Sequence, residues 1–402
     1  MRVTGYSYPW DVLGAPGFVD RAISLGVDEV AVAVAYHSTR AATPFAPDAT
    51  SVLARHAALY RPPREQAWRG ARLRPAVPDW VAAEDSAGDA VRALGAAGVP
   101  AAAWLVLTHS SRLGTAHPDV TVRNCFDEPY PWALCPSRAE VRDYVATLTA
   151  ESLTGLAVSS VILEACGQLG VIHQCQHEKT DAVWGAAAAR LLSVCCCPAC
   201  AARWSDSGAD PAEVRARLRA EVRRLIDGGD LGAEATLPAE LDELLLGTRQ
   251  AATDALREGV LAAISATLNS GLGSAPRIVL HGAVDPWVTG ALPGLTPAAA
   301  HQVDSVVLQC WQPGPASVSS VAAARAQLPD RVQVGGYVTA VGATAVPDMS
   351  GYVGDLATAG ATELHLYHLG LAGPARLPDL AAAVAGARRA PSNPPVSSGS
   401  PR

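Results

Sequence analysis

Eight short apolar, β-branched runs occur along this chain, and each is followed by a stretch of Ala, Leu and Arg with helical period. Near-continuous apolar strands that alternate with helices are typical of a parallel sheet buried on both faces. Eight such units are the number needed to close a (β/α)₈ barrel. The sequence therefore predicts an α/β fold of the TIM-barrel class, with strands at 2–8, 27–36, 101–108, 159–165, 277–283, 303–310, 332–337 and 362–368.

Helical stretches lie between these strands, at 17–25, 86–95, 138–153, 248–269, 297–301, 317–326, 349–359 and 377–387. The stretch after the fifth strand has the weakest pattern. Residues 38–81 predict an excursion after strand two, and residues 205–245 predict a helical insertion in the fourth unit. We expect one barrel domain over residues 1–390 and a disordered tail at 391–402, where Pro, Ser and Gly dominate.

A doubly wound sheet is the alternative arrangement for strands of this kind. That fold needs a phosphate-binding loop after the first strand, and residues 7–10 there have the sequence SYPW, without the G-x-G-x-x-G pattern. The missing glycines favour the barrel.

Composition and charge exclude several classes of partner. Hydrophobic residues make up 49% of the chain, and 31 Lys+Arg against 38 Asp+Glu give a net charge of -7. That charge offers no attraction to nucleic acid or to an anionic membrane. The chain has no apolar run of the roughly 18 residues that a membrane helix needs, and its first residues lack a signal pattern. Nine clustered cysteines fit a reducing compartment, so we expect a cytoplasmic protein, either monomeric or homo-oligomeric.

Four of the cysteines lie within six positions, in the segment LLSVCCCPACAARW. Cys195, Cys197 and Cys200 form a C-x-C-x-x-C pattern, and a short turn can supply two or three of the four ligands of a tetrahedral zinc ion. A fourth ligand must come from elsewhere, and Cys135 stands at the entry to a predicted helix. The alternatives are small buried side chains near a helix end and redox chemistry, although three contiguous cysteines do not match a C-x-x-C redox motif.

The C-terminal ends of the strands carry the functional side chains of a TIM barrel. Here these ends, with the loops that follow them, hold aromatic and polar residues. Such a collar suits a carbohydrate, because rings stack on the C–H faces of a sugar while polar groups bind its hydroxyls. Any single aromatic residue at these ends can equally be core packing. The candidate substrate-binding residues are Tyr8, Trp10, His37, Arg40, His109, His177, Trp287, Trp311, Tyr337 and His368.

Glu164 closes the fourth strand after the apolar run VIL. A carboxyl group in that position needs a partner or keeps its proton, and a kept proton suits a general acid. The alternative is a structural ion pair with an arginine or lysine. Asp285, in LHGAVDPW at the fifth strand end, is the candidate second carboxylate, although Asp before Pro is also typical of turns. Two carboxyl groups about 6.5–9.5 Å apart predict an inverting glycosidase, and about 5–5.5 Å a retaining one.

The stretch CPSRAEVRDY resembles the CPxSPxYRxY stretch of the family-42 β-galactosidases. In that family a carboxylate-bearing strand end and a C-x-C-x-x-C segment follow in the same order, and the match here runs from Cys135 to Trp204 and includes the barrel itself. The resemblance implies that Glu164 is the acid/base residue. It also implies a structural zinc ion held by Cys135, Cys195, Cys197 and Cys200.

The chain departs from that family at two strand ends. The family usually carries Asn-Glu at the fourth strand end, where this chain has Leu163 and Glu164. Retaining glycosidases of the clan carry a nucleophilic Glu at the end of the seventh strand, whereas RVQVGGYVTAVGA holds no Asp or Glu. The missing nucleophile leaves open a sugar-binding barrel that has lost hydrolysis.

The segment HQCQHEK after the fourth strand offers a further alternative. His173 and His177 are four residues apart, so they can share a helical face and, with Glu178, bind a catalytic metal. Glu164 or His281 could be the third ligand of such a metal-dependent lyase or isomerase. The predicted function is a cytoplasmic glycoside hydrolase that acts on a small glycoside or oligosaccharide, with these two alternatives open.

Overall fold

The computed structural model describes residues 1–172, 183–268, 275–342 and 346–390. Within these residues, eight parallel strands form the central sheet. They are β1 (Arg2–Ser7), β2 (Glu29–Tyr36), β3 (Ala101–Val106), β4 (Ser160–Glu164), β5 (Arg277–His281), β6 (Ser305–Gln309), β7 (Gln333–Thr339) and β8 (Glu363–Tyr367).

Helices alternate with these strands. They are α1 (Pro9–Gly14), α2 (Phe18–Leu25), α3 (Ser86–Ala96), α4 (Ser111–Ala116), α5 (Ala139–Leu153), α6 (Ala186–Leu192), α7 (Pro198–Asp206), α8 (Pro211–Asp227), α9 (Ala239–Leu268), α10 (Ala299–Gln302), α11 (Pro315–Gln327), α12 (Met349–Thr358) and α13 (Leu377–Arg389). None of these described helices combines the length and the apolar character that a membrane crossing requires.

The sheet closes on itself, because β1 pairs in parallel with both β2 and β8. Each remaining strand pairs with its neighbours in chain order, from β2 to β8. Closure confirms the predicted (β/α)₈ barrel and brings the C-terminal ends of all eight strands to one rim. β2 is buried along its whole length, as expected for a strand with helices on one side and the barrel core on the other.

The excursion after β2 contains two antiparallel pairings. Strands Thr39–Ala42 and Ser51–Ala54 form a hairpin, and Ala58–Leu59 pairs with the end of β2. Trp68 is buried, and Arg64 donates hydrogen bonds to the buried carboxylate of Glu151 on α5. These contacts fix the excursion against the barrel wall.

The insertion in the fourth unit is helical, as predicted, and consists of α7, α8 and the start of α9. α9 begins at Ala239 rather than at residue 248. The added turns belong to the helix because the sequence AELDELLLG keeps a helical period, and Leu245 within it is buried. α9 packs against α5 and α7, which joins the insertion to the barrel.

The third unit contains elements that the periodicity did not predict. Between β3 and α5 the chain forms α4 and a hairpin of Thr121–Arg123 with Pro129–Leu134. These elements are too short to show a clear period. Cys135 follows the hairpin directly, so the hairpin positions this thiol.

Candidate functional site

The rim at the C-terminal ends of the strands holds a continuous cluster of aromatic rings, here named the mouth cluster. Its members are Tyr8, Trp10, Tyr36, His37, Trp104, His109, Trp311, Tyr337, Tyr367 and His368. The Tyr8 ring stacks on Trp10 at 4.5 Å and lies 4.4 Å from His368, measured between ring centroids. On the opposite flank, His37 lies 4.1 Å from Tyr36 and 4.7 Å from His109. The structure thus brings most of the predicted collar together.

Glu164 lies beside this cluster at the end of β4, and only 6% of the residue is exposed. Its Oε2 accepts a hydrogen bond of 2.8 Å from the Trp104 indole N–H. The same oxygen lies 3.4 Å from His281 Nδ1. Among the described residues, Glu164 is therefore a buried carboxyl group with an indole and an imidazole beside it, and no arginine or lysine forms an ion pair with it.

The turn after Glu164 is held in an unusual backbone conformation. Ala165 has a φ of 50°, in the left-handed region that costs a non-glycine residue about 1–2 kcal/mol. The carbonyl oxygens of Ala165 and Gly167 both lie 2.7 Å from the Thr108 hydroxyl, which shares its one hydrogen between them, and Ala165 N donates to Ala291 O. Because several hydrogen bonds hold this turn in its strained conformation, they also fix the position of Glu164 at the rim.

Asp11 is a buried rim carboxylate that the sequence analysis did not single out. Its Oδ2 accepts a hydrogen bond from Tyr8 N at 2.9 Å and lies 3.7 Å from His368 Nδ1. A Cβ on Gly370 would lie 2.0 Å from Asp11 Cγ, so the close approach requires glycine there. Burial raises the pKa of Asp11 to about 7, and burial lowers that of His368 to about 3. The sequence feature that could have identified Asp11 is its position shortly after the end of the first strand, in the segment SYPWD.

Several buried polar atoms of the mouth cluster have no hydrogen-bond partner among the described residues. They are Trp10 Nε1, Trp311 Nε1, Tyr337 Oη and His368 Nε2. An unsatisfied buried polar group costs about 1–3 kcal/mol. The cluster therefore combines ring faces with donors and acceptors that a polar ligand can satisfy.

The remaining predicted site residues lie in different surroundings. Asp285 is exposed, and its Oδ1 accepts a hydrogen bond from Trp287 N at 2.9 Å, which closes a turn. The Trp287 ring packs under the Arg190 guanidinium at 4.5 Å and lines a cavity with Cys195 and Cys200. Arg40 is exposed on the hairpin after β2.

The loop proposed as a catalytic metal site lies outside the described residues, with His173, His177 and Glu178 all within it. Glu164 and His281, the two candidates for its third ligand, lie beside each other on the barrel rim.

The four predicted metal ligands form a compact buried cluster. The sulfur of Cys135 lies 3.6 Å from that of Cys195, 3.7 Å from Cys197 and 3.8 Å from Cys200. All four sulfurs lie within 4.8 Å of one another, in an arrangement that could hold a metal ion. Hydrogen bonds from the other three thiols lower the pKa of Cys197, which lies immediately before α7.

Comparison with known proteins supports the fold. No family model matches the chain, so the resemblance to the family-42 β-galactosidases finds no support there, and no curated protein matches it. Among solved structures, the catalytic domain of the β-amylase from Paenibacillus polymyxa is similar, with a TM-score of 0.55 and 12% identity over 96% of this chain and 97% of that one. The α-L-fucosidase isoenzyme 2 from Paenibacillus thiaminolyticus has a TM-score of 0.54 and 12% identity over 96% of this chain, which spans 49% of the fucosidase chain.

The raised pKa of Asp11 predicts a stability effect with a definite sign. The folded protein keeps the Asp11 proton up to about pH 7, whereas the unfolded chain loses it near the ordinary value of 3.8. Between these pH values the free energy of unfolding falls by roughly 1.4 kcal/mol per pH unit. In Asp11→Asn the side-chain oxygen can still accept the hydrogen bond from Tyr8 N, but the amide does not titrate, so this variant does not lose stability as the pH rises. The stability of Asp11→Asn relative to wild type should therefore rise by about 2–3 kcal/mol from pH 5 to pH 7.

Urea unfolding at several pH values measures this difference. Asp20→Asn, an exposed change on α2, is the matched control and should run parallel to wild type. Parallel curves for Asp11→Asn and wild type would show that Asp11 is ionised in the folded protein throughout.

Proposed function

We propose that this chain is a glycoside hydrolase that acts on a small glycoside or oligosaccharide. The observation that carries the proposal is a buried carboxyl group, Glu164, beside an aromatic cluster in which four buried polar atoms have no hydrogen-bond partner among the described residues. A sugar has both C–H faces and hydroxyl groups, so it can stack on the rings and satisfy Trp10 Nε1, Trp311 Nε1 and Tyr337 Oη together. The similarity to a β-amylase domain and an α-L-fucosidase supports the scaffold for this chemistry.

In the proposed reaction Glu164 protonates the glycosidic oxygen, so that the leaving group departs as a neutral alcohol. Trp104 fixes the Glu164 oxygen by its hydrogen bond. Water attacks the anomeric carbon and gives its proton to a second carboxylate, for which Asp285 is the exposed candidate. His37, His109 and His368 bind hydroxyls, and the predicted residues Arg40 and Trp287 extend the binding surface. His177, the other predicted binding residue, lies outside the described residues.

A sugar-binding barrel without hydrolysis is the second candidate function. The observation in its favour is that β7, Gln333–Thr339, carries no carboxylate. Both candidates bind carbohydrate in the mouth cluster, and turnover separates them.

We propose further that the cysteine cluster binds a structural zinc ion through Cys135, Cys195, Cys197 and Cys200. Four Zn–S bonds of about 2.3 Å in a tetrahedron have S···S edges of about 3.8 Å. The observed distances of 3.6, 3.7 and 3.8 Å from Cys135 fit that edge. The ion would join the hairpin of the third unit to the start of α7, and its role is to stabilise the fold.

Replacing the proposed acid tests the hydrolase. A panel of phenyl and 4-nitrophenyl glycosides is assayed for phenol release, with wild type, Glu164→Gln and Glu258→Gln, an exposed change on α9. General acids typically contribute about 10²–10⁴-fold, so Glu164→Gln should lower kcat/KM on phenyl glycosides by that factor. The 4-nitrophenyl substrates should lose less, because their leaving group needs little protonation.

The Glu258→Gln control should retain wild-type rates. Equal losses on both substrate series would contradict the acid role, and an absence of turnover with retained sugar binding would favour the second candidate.

Metal analysis tests the zinc proposal. Purified protein should contain about one zinc per chain, and Cys197→Ser should lose the metal and several kcal/mol of stability, since binding free energy contributes directly to folding. Cys310→Ser, at a buried cysteine outside the cluster, is the control and should keep the metal. A purified protein without zinc, together with a Cys197→Ser variant as stable as wild type, would contradict the proposed zinc site.

A further inference from the structure

The two ring nitrogens of His368 have different surroundings. The residue follows β8 directly, and its side chain is fully buried in the mouth cluster. Its ring centroid lies 4.4 Å from that of Tyr8, 5.3 Å from Tyr367 and 6.4 Å from Trp104. Nδ1 has a hydrogen-bond partner, whereas Nε2 has none among the described residues. What His368 offers to a ligand therefore depends on which nitrogen carries hydrogen.

The backbone of the loop after β8 determines the position of that hydrogen. Gly370 N donates a hydrogen bond of 3.2 Å to His368 Nδ1, so Nδ1 is an acceptor without hydrogen. Burial lowers the pKa of His368 to about 3, so the ring is neutral and carries a single hydrogen. This hydrogen lies on Nε2, and the nitrogen without a partner is therefore a donor.

The titratable groups that face the His368 ring do not change this assignment. Asp11 Oδ2 lies 3.7 Å from Nδ1, which is beyond hydrogen-bonding distance, and it accepts from Tyr8 N instead. Burial raises the pKa of Asp11 to about 7, so Asp11 carries no charge below that pH. Burial also raises the pKa of Tyr8 and Tyr367, so both rings in contact with His368 are neutral.

Two further groups in the mouth cluster are donors without a partner among the described residues. They are Trp10 Nε1 and Trp311 Nε1, and an indole N–H can only donate. Trp10 stacks on Tyr8 at 4.5 Å, and Trp311 lies 4.9 Å from Tyr367, so each indole packs on a tyrosine that also contacts His368. One cluster thus holds three buried donors that oxygen atoms of a ligand can satisfy.

We propose that His368, Trp10 and Trp311 select sugars that present an oxygen acceptor to each of them. A hydroxyl or ether oxygen accepts such a hydrogen bond. A deoxy position has no oxygen, and an amino position carries an ammonium group that can only donate. The substrate class is a neutral sugar with oxygen at each of these positions, and deoxy and amino analogues leave a buried donor unpaired. This inference rests on the proposed sugar site and makes the three residues determinants of its specificity.

Nitrogen NMR of the histidine rings tests the His368 donor without any ligand. Protein with isotopically labelled histidine should show a neutral ring with hydrogen on Nε2 at about pH 5.5, where a histidine of ordinary pKa is mostly charged. This signal should be missing from His368→Gln. A charged His368 ring at that pH, or a neutral ring with hydrogen on Nδ1, would overturn the inference.

Titration of tryptophan fluorescence with methyl glycosides tests the selection without turnover. The methyl glycoside that binds most tightly is compared with its monodeoxy and monoamino derivatives. In wild type, the derivatives altered at a recognised position should bind about tenfold more weakly, because one buried donor loses its partner. In His368→Leu one of these penalties should disappear, because the donor is gone. His301→Gln, at an exposed histidine on α10, is the control and should keep every wild-type ratio.

Trp311→Phe covers the case of a His368→Leu protein that does not fold. The variant keeps an aromatic ring against Tyr367 and removes the N–H. The penalty for a deoxy or amino group should then disappear at a different position of the sugar from the one that His368 recognises.

The outcomes separate this inference from the proposed hydrolase. If glycosides are cleaved and the penalties are the same in wild type, His368→Leu and Trp311→Phe, the selection is overturned and the hydrolase stands. If the His368 tautomer and the penalties are as expected but no glycoside is cleaved, the selection stands and hydrolysis fails. If none of the methyl glycosides binds, the selection fails together with the sugar site.

Discussion

Closure of the parallel sheet is the constraint on which the rest of the structure depends. Because β1 pairs with both β2 and β8, every strand has two neighbours and all the C-terminal strand ends share one rim. Residues far apart in the chain, such as Tyr8 and His368, thereby lie in ring contact. The aromatic cluster, Glu164 and Asp11 owe their proximity to this closure rather than to any local motif.

Buried polar side chains at the two ends of the barrel differ in their hydrogen bonding. At the N-terminal end, Glu29 and Glu363 are buried but satisfied by arginines and serine hydroxyls. At the C-terminal end, buried indole, phenol and imidazole groups have no partner among the described residues. Buried polar groups are normally hydrogen-bonded, so the unsatisfied end is where a ligand gains most.

The sequence predicted much of this arrangement, and the failures have physical reasons. Apolar runs identify strands because a sheet covered on both faces must be apolar throughout, and all eight strands lie where expected. The positions of the predicted strand ends then identified most of the side chains that lie at the rim. The contact between Tyr6 and His365 inside the barrel was not predicted, because both residues lie within strands and the sequence does not show that they face each other across a closed barrel. Asp11 was missed because its burial depends on the distant Gly370.

The most direct test of the central claim, that the mouth cluster is a sugar site, is a crystal structure of Glu164→Gln soaked with an oligosaccharide. We expect a sugar ring stacked on Trp10 or Trp311, with hydroxyls bonded to Tyr337 Oη and His368 Nε2 and the glycosidic oxygen beside residue 164. An oligosaccharide bound elsewhere, with water on these four groups in the mouth, would contradict the account.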